Sequence, residues 1–173
     1  MSPEMKVLVS VLAIALALFA IDRLKTRRHI EDFALGKPKL GALLLWLGIY
    51  VVWMLATNYL WHWRGPWDFG SWKQAPFLQD AERVLAVGIL GPIAEELIFR
   101  GILYRLIVGT RFGAPGAILI AAAAWAPLHY QYAWGTIGLL FVDGLFLGMS
   151  RHYAQSVWAP TAMHIAWNLF AVW

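Results

Sequence analysis

The stretch that most restricts the fold is Leu40 to Trp61, twenty-two residues without a single charge. At about 1.5 Å of rise per residue, a helix of that length crosses a hydrocarbon core of roughly 30 Å unaided. Other runs repeat the pattern. Val7 to Ile21 is fifteen charge-free residues between Lys6 and Arg23, whose long side chains can snorkel and extend the span. Val84 to Ile107 is apolar except for one charged group. Phe112 to Val142 is thirty-one residues, too long for one span and right for two with a turn at "YQYAWGT"; Asp143 falls inside the second of these. Ser156 to Trp173 closes the chain and holds His164 and Asn168. The predicted fold is an all-α, polytopic integral membrane helical bundle. It is one domain over residues 1-173 of about six transmembrane helices, with spans near 5-21, 40-61, 84-107, 112-130, 134-150 and 156-173.

Composition agrees, because 61% of the 173 residues are hydrophobic and only 14% are charged, outside the usual balance of a soluble domain. There is no cysteine, which excludes disulfides, thiolate metal ligands and a thiol nucleophile. The net charge of +4 reads as a topology signal, with the lipid bilayer as the partner and no nucleic acid. Asp22 to Lys39 carries six Lys/Arg and reads as a cytoplasmic loop, together with Arg105, Arg111 and Arg151. His62 to Arg83 carries three and reads as external, with Trp61, Trp63, Trp67 and Trp72 as an outer aromatic belt. A multi-pass protein with both termini extracytoplasmic follows, and a bacterial or archaeal cell membrane is the expected location. The basic cluster after the first span opposes reading it as a cleaved signal peptide.

The charged group is "GPIAEELIFRG", Gly91 to Gly101. An ionised side chain at mid-bilayer costs roughly 2.5 to 3.5 kcal/mol on insertion scales, so it requires a partner or a function. Glu96 and Arg100 are four residues apart on a helix and predict an ion pair. Glu95 is rotated about 100° away and is left over, a carboxylate placed to act as a general base. Pro92 lacks a backbone donor and breaks the ladder near Gly88, a route for water to Glu95. The plainer account is an ion pair that fixes helix packing beside an ordinary proline kink.

Two further spans carry polar groups. "WAPLH" ends with His129, and "HIAWN" puts His164 and Asn168 at i and i+4 on one face. A lone membrane histidine is commonly an interhelical hydrogen-bonding group. Together, however, these side chains supply a carboxylate to deprotonate water, an imidazole to share the proton, and an imidazole and a carboxamide to donate to a developing oxyanion. That set suits amide hydrolysis without a covalent nucleophile, and none of Ser71, Ser150 and Ser156 sits in a GxSxG turn. Asp143 is expected to balance Arg100 or Arg105 across helices, or to orient a histidine. Tyr104 and Tyr130 read as packing or interfacial residues.

Read in order, "EELIFRG", "WAPLH" and "HIAWN" resemble the EExxxR, FxxxH and HxxxN motifs of the CPBP family of intramembrane proteases, also called the CAAX protease or Abi family. The resemblance runs from about Val84 to the C-terminus, making residues 84-173 the catalytic core. It implies a glutamic-type membrane endopeptidase acting on a membrane-anchored protein or peptide. Glu95 and His129 would activate water, His164 and Asn168 would hold the oxyanion, and Glu96 and Arg100 would support them. Trp125 stands where the family usually has Phe, which keeps an aromatic ring but can reshape the groove. No cofactor is expected; the rival within enzymes is zinc on Glu95, His129 and His164, for which the ligand types suffice but no HExxH spacing exists. Outside enzymes, the rivals are a membrane scaffold or immunity-type protein and a proton-coupled transporter, the latter opposed by the absence of an inverted repeat.

Overall fold

The computed structural model describes residues 2–61 and 75–172, and among these every regular element is helical. Six helices follow one another: α1 (Pro3–Arg28), α2 (Leu40–Trp61), α3 (residues 77–108), α4 (Gly113–Trp125), α5 (Trp134–Ala154) and α6 (Trp158–Val172). α1 and α2 are long and apolar enough to cross a membrane by length and composition, and Gly113–His129 is a shorter apolar helix. Their outward faces are apolar too: Leu8, Leu12, Leu16 and Phe19 of α1 and Leu44, Val52 and Leu55 of α2 stand exposed. Water would not tolerate so continuous an apolar surface, whereas lipid solvates it. The expected belt at Trp61, Trp63, Trp67 and Trp72 lies outside the described residues, apart from the backbone of Trp61.

The basic stretch after the first span departs from expectation. Its charge density predicts a loop from Asp22, but α1 continues through it to Arg28. Nothing in "DRLKTRR" breaks a helix: Thr26 bonds back to the Asp22 carbonyl at 2.9 Å, and Lys25, Arg27 and Arg28 sit where the helix dipole favours cations. The helix ends at His29, which takes the left-handed conformation at φ 51°. From there to Lys39 the chain is irregular yet tied to the α5–α6 turn. Val157 N–H donates to the Ala34 carbonyl, the Ser156 hydroxyl to the Gly36 carbonyl and the Trp158 indole to the Leu35 carbonyl, at 2.8, 2.6 and 2.8 Å.

Two apolar clusters hold the helices together. Ala17 and Ile21 of α1 meet Leu97 of α3, with Phe33 and Val157, on one side. On the other, Trp46, Tyr50 and Met54 of α2 meet Leu147 of α5 and Met163 and Trp167 of α6. Glycine sets a close approach between α4 and α5. A Cβ on Gly144 would stand 2.9 Å from the Ala122 Cβ, and one on Gly148 would stand 2.9 Å from Ile118 Cγ2. Small residues four apart let two apolar helices touch backbone to backbone, the usual device where lipid supplies no hydrophobic drive.

α3 is the irregular helix, and Pro92 explains part of why. The turns at Val84–Leu90 and Leu97–Leu103 are widened, flanking the regular segment Gly91–Glu96. In the first, Gly91 N–H donates to the Ala86 carbonyl, five residues back instead of four. The Val87 carbonyl thereby loses its usual donor, and the next candidate, residue 92, is a proline with no N–H. Asn168 fills the gap from α6, its Nδ2 donating to the Val87 carbonyl at 2.9 Å.

Candidate active site

The paired glutamates end the regular segment of α3, and their side chains go to different places. Glu96 is fully buried. Its Oε1 accepts from Arg100 Nη1 at 2.8 Å, the expected i,i+4 ion pair, and lies 2.9 Å from His164 Nδ1 on α6. A carboxylate oxygen can only accept, so His164 carries its proton on Nδ1 and presents Nε2 on the opposite edge of the ring. Arg100 is also fully buried; Nη2 donates to the Gly144 carbonyl of α5 at 3.2 Å, and the guanidinium lies 5.0 Å over the Trp125 ring. One glutamate thus neutralises a buried guanidinium and orients a histidine, and ties three helices together.

Glu95 faces the other way. Its side chain is 34% exposed, and its Oε2 accepts from the Trp125 indole at 2.5 Å. The same oxygen stands 4.0 Å from His164 Nε2. His129, in the single tight turn Ala126–His129 that ends α4, reaches the group through Trp125, whose ring lies edge-on to it at 5.0 Å. The His164 ring meets Trp125 likewise at 5.3 Å. His129 Nδ1 is buried with no hydrogen-bond partner among the described residues, and the ring stacks on Tyr132.

Glu95, His129 and His164 are therefore gathered around one indole. Asn168 is one turn beyond His164 and half-buried, but one of its two N–H bonds is committed to Val87. Asp143 overturns an expectation. It is buried on α5, yet it forms no ion pair with Arg100 or Arg105; its Oδ1 accepts from the Trp53 indole of α2 at 2.6 Å, and Oδ2 has no hydrogen-bond partner among the described residues. Arg100 is already taken by Glu96, while Arg105 Nε donates to the Glu31 carbonyl at 2.8 Å. Sequence alone does not reveal the role of two tryptophans. Trp125 and Trp53 each donate to a buried or half-buried carboxylate, a role open to an indole N–H within an apolar interior. Among the described residues no three His, Asp or Glu side chains form a group suited to a metal ion.

This arrangement joins three separated motifs at one place. The family model for type II CAAX prenyl endopeptidases, Rce1-like, matches residues 78–170, more than half of the chain. The chain belongs to this family. No curated protein and no solved structure matches it. The family is one of membrane proteases, so the chain is a membrane protein of a hydrolase class, in agreement with its two spanning-length helices. The match takes in α3 to α6 and every residue of the group around Trp125, and leaves α1 and α2 outside it.

Proposed function

We propose that the chain is an intramembrane endopeptidase that hydrolyses a peptide bond of a membrane-anchored protein or peptide by direct attack of water. The observation that carries this is the division between the two glutamates: Glu96 is sealed with Arg100 and His164, while Glu95 is part-exposed, beside the His164 imidazole and bonded to the indole that His129 also meets. Water held between Glu95 and His129 gives a proton to the carboxylate as its oxygen bonds to the substrate carbonyl carbon. The carbonyl π electrons move onto oxygen, and the tetrahedral intermediate is held by the uncommitted N–H of Asn168 and by the Nε2–H of His164 in its doubly protonated form, which keeps Nδ1–H on Glu96. Collapse of the intermediate breaks the C–N bond, and the proton held by Glu95 passes to the leaving amine. Glu96 fixes the His164 ring much as a buried carboxylate orients a catalytic histidine elsewhere.

In this reading all six helices span the bilayer as one domain, residues 84-173 are the catalytic core, and both termini are extracytoplasmic. A one-sided accessibility tag at either terminus tests that topology, and a cytoplasmic C-terminus would overturn it. The chemistry needs no metal. Purified protein treated with a chelator should still cleave a membrane-anchored peptide, and cleavage restored only by zinc would replace water activation by glutamate with metal activation. Glu95→Gln should insert and fold but not cleave; full activity of that variant removes the mechanism, and a scaffold function then accounts better for the residue.

A further inference from the structure

At the end of the bundle that carries the basic residues, away from Trp125, a pocket of about 280 Å³ is lined by Asp32, Tyr104, Arg105, Arg151, His152 and Gln155 among others. Arg151 is only 6% exposed, and its Nε donates to the Arg100 carbonyl at 3.1 Å while the guanidinium covers the Tyr104 ring at 4.9 Å. Neither Arg151 nor Arg105 has a carboxylate within ion-pair distance among the described residues. A desolvated guanidinium without a counter-ion is costly, and carbonyls at helix ends offset only part of that. Asp32 lines the same pocket and its charge acts on Arg151, while its Oδ1 also accepts from Ala34 N–H at 2.9 Å, so one carboxylate offsets at most one of two guanidiniums. Next to it lies an apolar groove of about 320 Å³ lined by Ala114, Pro115, Ile118, Leu119, Leu145 and Met149. His152 lines both, its Nδ1 held 2.9 Å from the Tyr104 hydroxyl.

We propose that the two cavities together form a binding site for one anionic phospholipid, with the phosphate against Arg105 and Arg151 and an acyl chain along the α4–α5 groove. Charge complementarity selects the anionic head, since guanidinium forks match phosphate oxygens. The adjoining apolar groove selects a lipid over a soluble anion. Lipid binding alone reads this site, without a cleavage assay.

The test uses the full chain in detergent, with native mass spectrometry and tryptophan-monitored thermal unfolding. The probes are phosphatidylglycerol, phosphatidylcholine, inorganic phosphate and glycerophosphoglycerol, the headgroup without chains. Phosphatidylglycerol should bind at least fivefold more tightly than phosphatidylcholine, and Arg105→Gln and Arg151→Gln should each bring that preference below twofold. Arg105 is half-exposed, so its variant keeps the test open if Arg151→Gln does not fold. Arg27→Gln, on the exposed end of α1, removes the same charge and should leave the preference intact. Equal binding of the two lipids overturns the proposal, as does a preference that survives Arg105→Gln or falls equally with Arg27→Gln. Equal protection by inorganic phosphate or glycerophosphoglycerol overturns the lipid occupant in favour of a soluble phosphate.

Discussion

Glu95 and Glu96 are neighbours in sequence, on one turn of one helix, and share almost nothing else. Glu96 has a guanidinium, an imidazole and no solvent; Glu95 has an indole N–H and a third of its side chain exposed. The contrast teaches that a membrane interior can carry a reactive carboxylate when a second one beside it does the structural work. Each side of the helix can be broken separately. Glu95→Gln keeps the shape and an acceptor for Trp125, so stability should change by less than about 1 kcal/mol. Cleavage should fall by about 10²- to 10⁴-fold, the usual contribution of a general base. Rates on an anchored peptide and a thermal melt on the same preparation check both.

Glu96→Gln should reverse that balance. It leaves the fully buried Arg100 without its counter-charge, and breaking a buried pair from one side costs about 3 to 5 kcal/mol. The variant should melt well below the parent, and its folded fraction should also cleave more slowly, because His164 loses the carboxylate that fixes its ring. A variant as stable as the parent but inactive would move Glu96 into the chemistry and erase the division of labour.

The closeness of α4 and α5 supports the sealed side and gives a smaller effect. Gly144→Ala would place a Cβ 2.9 Å from that of Ala122 and 3.4 Å from Arg100 Nη2. Overpacking of this kind costs about 1 to 3 kcal/mol. Activity should fall along with stability, since the Gly144 carbonyl holds the guanidinium that holds Glu96.

Much of this was legible in the sequence, for identifiable reasons. Charge-free length announced the helices, and the i,i+4 spacing of Glu96 and Arg100 announced their pair, because both depend on local geometry alone. Asp143 was not legible: a carboxylate in a span demands a donor, but sequence does not say that an indole ninety residues earlier is nearer than either arginine. Asn168 was half legible. Its type suggested a donor, while the Val87 carbonyl it serves is orphaned by Pro92 and a widened turn on another helix. The helix from Asp22 to Arg28 was not legible, because charge density marks topology and not irregularity, and nothing there opposes a helix.

Trp125 joins the two sides, and the last prediction concerns it. Its face receives Arg100, its edges meet His129 and His164, and its N–H holds Glu95. Trp125→Phe keeps a ring for the first three contacts and removes only the donor to Glu95. A carboxylate freed of that bond remains in place but samples more orientations, and loss of alignment lowers kcat while substrate binding is untouched. The expected result is about a tenfold fall in kcat at unchanged KM, with stability within about 1.5 kcal/mol of the parent. Trp125→Leu, which removes the ring as well, should also lower the melting temperature. If Trp125→Phe cleaves as fast as the parent, the indole serves packing alone and Glu95 is positioned by something other than the sealed half of the site.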